Sequence, residues 1–501
     1  MTGGAQPAGI FAQLNRSPHS ALALAPLLGL LLMLGVGFAA AADVRLPALG
    51  DTSSALVSPQ QEDELGRAWL MSFRRQIRSH DDAQLQLYLE TLIARLAAHS
   101  QLLPQQLQLI VVENPSLNAF AVPGGVIGVH TGLFQQARSE HELASVLTHE
   151  LAHLSQRHFA RRLDAQRRSS TVGLAGLLAG LVLAATVGGD AGMAAMTASQ
   201  AAMLDESLRY SRQNEQEADR LGIDNLYRAG MDPSGAPSMF ERMLAATRYT
   251  GQRPPEFLLS HPLTESRVAD VRARVSKYPP RQYPDNLDYH LMRARVELAA
   301  AERPEQAVAH FRDLATGAGL AKTAARYGLA LALSAQGKHQ EARSQIRELI
   351  AEDGERLPYR MAAITIARAA GDTKSAIALA RALVAAQPDY YPGQMELASS
   401  LNAANQFGEA EVVLDKLSRD RPTDPRIWFE LAETNGLAGN IAGVHRARAE
   451  YFALIGVFDK ARNHLGYARR LQEQDFRQVA LIDQRLRDLE RLEKQQAALH
   501  R

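Results

Sequence analysis

Beyond Ser139 the apolar positions gather on one side of a helix. With His149 set at zero on a wheel of ~100° per residue, Leu143, Leu147, Leu151 and Leu154 fall between about 120° and about 200°. His153 lies at about 40°, Val146 at about 60° and Glu150 at about 100° on the same wheel. The pattern predicts a helix that begins at Ser139, with Glu142 three residues on as its capping-box partner. It buries a leucine stripe and offers two histidines on an adjoining one. A helix facing solvent needs no such division. A second helix is expected from Asn214 to a C-cap at Gly230, before Asp232-Pro233. Upstream, Ala119–Val122 is expected as a strand, ended by Pro123-Gly124-Gly125, along whose edge an extended peptide would pair.

From about residue 287 the pattern becomes periodic. Turn positions recur at 302, 337, 371, 405 and 439, a steady step of about 34 residues. Ala307, Ala342, Ala376 and Ala410 follow four of these turns, each by five positions. This is the tetratricopeptide period, in which each unit is a helix–turn–helix stacked on the next. Pro388 and Pro422 end two units, and Trp428 opens a later one. The register breaks at Gly456–Ala461, where the step returns after only half a unit. A last helix from about Asp475 to Ala498, carrying Leu481, Leu486, Leu489 and Leu492, is expected to cap the stack. A coiled coil or plain helical bundle does not account for the steady spacing. Prolines between Ser276 and Pro284 deny helix continuation and mark a linker ahead of the repeats.

Two apolar runs stand apart. Residues 21–38 follow Arg16 and His19 and end in Ala39-Ala40-Ala41-Ala42, which reads as a secretory signal peptide cleaved after Ala42. An uncleaved membrane anchor is the alternative, since the run approaches the ~20 residues that span a bilayer. Gly173–Gly188 is rich in glycine and shorter than a typical spanning helix. With the small residues that continue to Met196, it reads as a buried helix, with a flap over the cleft or a membrane-touching hairpin as alternatives.

The chain has 501 residues, too many for one core and suited to two or three domains. Its 55 basic and 54 acidic residues nearly cancel, so nothing points to nucleic acid or to an anionic membrane surface. There is no cysteine, which removes disulfides, thiolate ligands and a lipoprotein anchor on the chain. Membrane contact is then peripheral at most.

The histidines carry the chemistry. His149-Glu150-Leu151-Ala152-His153 places two imidazoles one helical turn apart, where they can share a metal ion beside a glutamate able to take a proton from water. A catalytic zinc needs a third protein ligand and an open position. His158 follows His153 by five positions, the wrong spacing for the metzincin pattern. His141-Glu142 has Ser145 at its fifth position and fails as a second motif. Glu215 and Asp219 share a helix face. One can ligate while the other accepts the free ring N–H of a zinc-bound histidine; on their own they would also suit an ordinary acidic helix start.

Taken together, His149–His153, Glu215–Asp219, Ser260-His261-Pro262 and Arg267 resemble the HtpX-type zinc metallopeptidases. The resemblance extends to Asn118–Gly125 and His130-Thr131-Gly132-Leu133, and is strongest for periplasmic members that carry repeats after the peptidase domain. It implies a mainly α protein: signal peptide over 1–42, an α+β zincin-type (gluzincin) domain with a small β-sheet over 43–275, a linker over 276–286, and an all-α tetratricopeptide-repeat solenoid over 287–498. It implies one zinc ion per chain on His149, His153 and Glu215, with Glu150 as general base and Asp219 behind the ligands. His261 matches a histidine able to sit on the metal and block the water position, with a loop histidine fixed by Pro262 as the plainer alternative. Arg267 matches an arginine supporting the active site. The implied function is a periplasmic metalloendopeptidase, with chaperone-like activity, that degrades misfolded or stalled outer-membrane β-barrel proteins. Implied partners are the β-barrel assembly machinery and its clients, including the lipopolysaccharide-transport barrel. The alternative is a non-proteolytic binding module whose metal site is structural or self-inhibited.

Overall fold

The computed structural model describes residues 58–103, 105–162, 198–249 and 255–499. The expected signal peptide over 1–42 with its cleavage site after Ala42, and the apolar segment 173–196, lie outside the described residues.

Two helices open the described chain. Helix α1, Pro59–Arg74, starts with a full capping box in which the Ser58 hydroxyl accepts from the Gln61 N–H and the Gln61 side chain answers. Helix α2, Ala83–Ala98, is capped by the Asp82 carboxylate. A three-stranded sheet follows: β1 (Gln108–Val112), β2 (Ala119–Val122) and β3 (Val126–His130). Strand β3 is central, parallel to β1 and antiparallel to β2, so β2 is an edge strand. The expected break at Pro123–Gly125 is the β2–β3 turn, and both its glycines have φ of 77°.

Helix α3 (Thr131–Gln136) leads into the motif helix α4, Glu140–Ser155. Leu143, Leu147 and Leu151 are fully buried, as the wheel requires. Ser139 is the N-cap and accepts from the Glu142 N–H at 3.3 Å. The capping box is only half formed, however. The Glu142 carboxylate accepts from the Arg138 N–H and is gripped by the Arg242 guanidinium at 2.7 and 3.1 Å instead of returning to Ser139.

The second site helix, α5, spans Ala198–Arg228 and begins well before the expected Asn214. It ends as expected: Gly230 takes a φ of 73°, and the Met231 N–H reaches back to the Leu226 carbonyl in a Schellman turn. Helices α6 (Gly235–Tyr249), α7 (Glu256–Ser260) and α8 (Glu265–Val275) complete this part.

Residues 276–286 are non-helical, and the remaining helices follow one another in pairs along the chain. These are α9 (Leu287–Ala300) with α10 (Pro304–Leu314), α11 (Gly319–Ala335) with α12 (His339–Glu352), and α13 (Leu357–Ala369) with α14 (Thr373–Ala386). The series continues with α15 (Tyr391–Ala403) and α16 (Phe407–Asp420), α17 (Pro425–Leu437) and α18 (Ile441–Leu454), then α19 (Phe458–Leu471) and α20 (Phe476–Leu499). The turn positions at 337, 371, 405, 439 and 456 all adopt positive φ, with Asn405 taking the place glycine fills elsewhere. The alanine five positions after each of Gly337, Gly371, Asn405 and Gly456 is completely buried. In α20, Leu489 is buried, but Leu481 is exposed and does not belong to the expected cap stripe.

The apolar core does not stop at residue 276. It runs from Leu85 in α2 through the motif helix to Ile366 in α13. Phe134 stacks on Tyr289 at 5.8 Å, and the Tyr289 hydroxyl donates to the Ala137 carbonyl. At the far end α20 comes back against α1, so the repeats wrap the peptidase part.

Candidate metal centre

Helix α4 presents His149 and His153 one turn apart, as ~3.6 residues per turn requires. Helix α5 packs across α4, and Gly222 permits the approach: a Cβ there would lie 3.2 Å from the His149 amide nitrogen. Glu215, Asp219 and Gly222 share the face of α5 turned toward α4. His261 arrives from the segment after α7 and lies over the pair, its ring stacked on Phe257 at 4.6 Å.

The donor atoms converge. His149 Nε2 is 3.1 Å from His153 Nε2, 3.3 Å from Glu215 Oε2 and 3.4 Å from His261 Nδ1. Glu215 Oε1 is 3.5 Å from His153 Nε2 and 3.0 Å from His261 Nδ1. One atom from each of the four side chains lies within 4.8 Å of every other. A tetrahedral zinc with ligands at ~2.0–2.1 Å has ligand–ligand edges of about 3.3 Å, and these separations match it. The donor set, imidazoles with a carboxylate, also suits zinc.

Glu150 is 2% exposed and lies beside this cluster. Its Oε1 has no hydrogen-bond partner, and His261 Nε2 stands 3.4 Å away. The backbone of Ala121, on edge strand β2, lies close enough to the same carboxylate to favour its charged form. Arg267, in the first turn of α8, grips Asp219 with two bonds of 2.8 Å. Its third nitrogen donates to the Pro262 carbonyl at 2.8 Å and lies 3.2 Å from Glu215. Asp219 Oδ1 is 3.1 Å from His149 Nδ1, near in distance though the ring N–H is skewed from a straight hydrogen bond. All seven residues singled out from sequence therefore meet at one place.

Comparison with known proteins agrees with this geometry. The profile of peptidase family M48 matches residues 83–275, and a tetratricopeptide-repeat profile matches residues 367–431. The beta-barrel assembly-enhancing protease of Escherichia coli (strain K12) is 32% identical over 486 residues, covering 97% of this chain and 98% of the relative. The chain belongs to peptidase family M48. The putative beta-barrel assembly-enhancing protease of Vibrio cholerae is also 32% identical, over 89% of this chain and 92% of its own. The mitochondrial metalloendopeptidase OMA1 of Schizosaccharomyces pombe is 31% identical over 37% of this chain and 51% of its own. The M48 chain described here is accordingly a metallopeptidase with tetratricopeptide repeats, mainly helical around a small sheet.

Electrostatics in this M48 site are sharply divided. Burial works against charge on His149, but the adjacent carboxylates of Asp219 and Glu215 overcome it and push the ring up to about 10. A cation bound there displaces that proton, because only the neutral ring ligates. Burial drives His153 well below the ordinary histidine range, leaving its lone pair free. Burial would raise Glu215, yet the charge on His261 and hydrogen bonds from His149 and His261 hold it well below the usual carboxylate value. Burial also opposes the Asp219 charge, and the Arg267 fork outweighs it. Glu150 is pushed up by burial, the direction that suits a base working near neutrality.

Some contacts carry no signal in the sequence. His158, which the metzincin spacing rejects as a metal ligand, sits behind His153 with its Nδ1 2.9 Å from His153 Nδ1. The segment carrying His261 is pinned to the β1–β2 loop by the Phe257 N–H on the Leu117 carbonyl and by Asn118 on Glu256. No spacing links Leu117 and Asn118 to Phe257 and Glu256, because these contacts join segments more than a hundred positions apart.

Proposed function

We propose that the chain is a zinc-dependent endopeptidase of the periplasm that acts on outer-membrane β-barrel proteins that have stalled or misfolded. His149, His153 and Glu215 hold the metal, and Glu150 is the general base. The convergence of four donor atoms beside a buried glutamate carries this reading. When bound, zinc supplies Lewis acidity toward a peptide carbonyl and toward water. An extended substrate pairs with the outer edge of β2, which lies beside Glu150. Glu150 removes a proton from the attacking water as its oxygen bonds to the carbonyl carbon. It then returns that proton to the amide nitrogen as the C–N bond breaks. Asp219, clamped by Arg267, orients His149. The name of the Escherichia coli and Vibrio cholerae relatives, together with 32% identity to the first over 97% of the chain, supports the class of client. The repeats support recruitment of protein partners, including the β-barrel assembly machinery. The expected signal peptide supports the compartment, and among the described residues no helix is long and apolar enough to cross a membrane.

Glu150→Gln tests the assignment. It should retain zinc and lose about 10²–10⁴-fold in the cleavage rate of an unfolded barrel protein, the usual worth of a general base. Equal rates for zinc-loaded wild type and variant would refute it. A second reading, a binding module whose site is held shut, is favoured by one observation: His261 Nδ1 occupies the fourth corner of the donor set, where water would enter.

A further inference from the structure

Five residues along a continuous helix turn through roughly 500°, so His158 should point about 140° away from His153. The chain prevents this. Helix α4 ends at Ser155, Arg157 takes a φ of 50°, and a new helical turn starts at His158. A left-handed conformation is unfavourable at a non-glycine residue, and the arginine, paired with Glu62, is held in it. The reversal brings His158 back onto His153, with rings at 4.8 Å and nearly perpendicular. His158 is itself buried, and its Nε2 lies 3.1 Å from Glu217 Oε2, a carboxylate also held by Arg161 at 3.0 Å.

The order of donors and acceptors along this chain is fixed by its inner end. His153 faces the metal donors with Nε2, which must carry a bare lone pair, so its ring proton sits on Nδ1. That proton has one close acceptor, the Nδ1 of His158. His158 then carries its own proton on Nε2 and donates it to Glu217. We infer that His158 is a positioning residue for the metal site, fixing the tautomer and ring plane of His153 by accepting its Nδ1–H and being anchored in turn by Glu217. The fold supplies His149 and His153 with different supports. Asp219 backs the first with a carboxylate, and a histidine backs the second.

The inference rests on the assignment of His153 as a ligand, and the experiment separates the two. Zinc affinity is measured by chelator competition on the full chain for wild type, His158→Asn, His158→Gln and His158→Phe. Asparagine keeps an acceptor where Nδ1 stands. Glutamine keeps only a group near Nε2, and phenylalanine keeps neither. Loss of such a support behind a ligand typically weakens metal binding by ~10–100-fold. That loss is expected for the Gln and Phe variants, while the Asn variant should stay within about threefold of wild type on the same scale. The visible spectrum of the cobalt-loaded protein should shift in the Gln variant and not in the Asn variant, a difference that packing alone would not produce. If Phe fails to fold, the Gln–Asn contrast decides. Three equally weakened variants, or three unchanged ones, would overturn the role of His158 while leaving the metal site standing. A wild type that binds no zinc would overturn both.

Discussion

At the scale of single residues, the site is a set of opposed preferences resolved by neighbours. His153 is held neutral by burial, whereas His149 is drawn toward its proton by two carboxylates, and a cation must satisfy both. His261 sits over this arrangement with one nitrogen among the donors and the other near Glu150. Replacing it with alanine should raise proteolysis by about tenfold, the gain for a site closed nine parts in ten. Cleavage of an unfolded barrel protein by zinc-loaded His261→Ala measures this. A fall in rate would instead give His261 a part in binding or catalysis. Helical spacing makes His149, His153, Glu215 and Asp219 readable from sequence, because residues four apart share a face. His158 is not readable in its role. The same spacing rule turns it away from His153, and only the left-handed turn at Arg157 restores it.

At the scale of elements, the legible parts are those with a local signature. The repeat turns can be placed from sequence because a glycine or asparagine is available wherever positive φ is needed, and the leucine stripe of α4 because one face is buried. The early start of α5 lacks any such mark, since Ala198–Leu204 shows no amphipathic period. The capping box expected at Ser139 stays half formed because Arg242, a hundred positions away, draws off the Glu142 carboxylate. The sheet adds a prediction of its own. Gly128 on β3 lies beneath the Phe120 ring of β2, and a Cβ there would stand 2.0 Å from the ring carbon Cζ. Phe120 cannot simply retreat, since its ring meets Trp69 and Phe73 edge to face at 5.5 Å each. Gly128→Ala should therefore destabilise the protein by about 1–3 kcal/mol, as overpacking does. The denaturant midpoint reports it, and an unchanged midpoint would show the aromatic cluster to be looser than its contacts suggest.

At the scale of the whole molecule, peptidase part and repeats are joined by charge as well as by apolar packing. Asp82 caps α2 and also binds Arg295 of α9 at 2.6 Å, and Arg295 reaches the Tyr327 hydroxyl in the next pair. Arg421 crosses to Glu90 at 2.7 Å, and Arg74 donates to the carbonyls of Thr423 and Leu454. Burial would raise the Asp82 carboxyl, but Arg295 holds it below its usual value. A carboxylate depressed in the folded state contributes stability above its unfolded pKa of ~3.9 and loses it as pH falls through the lower folded value. Thermal stability should thus drop on acidification below about pH 4. Asp82→Asn keeps the helix cap but not the charge, so it should cost about 3 kcal/mol at neutral pH and flatten the acid limb. An identical acid limb in this variant would place the pH sensitivity elsewhere. The continuous core has a consequence for how the chain is made. Phe134 and Ala137, beside the motif helix, are completed by Tyr289 from the first repeat, and α1, which packs on the sheet, also meets the last helix. Synthesis runs from the N-terminus, so the segment that carries His149 to Arg267 is made before Tyr289, which completes the packing beside the motif helix.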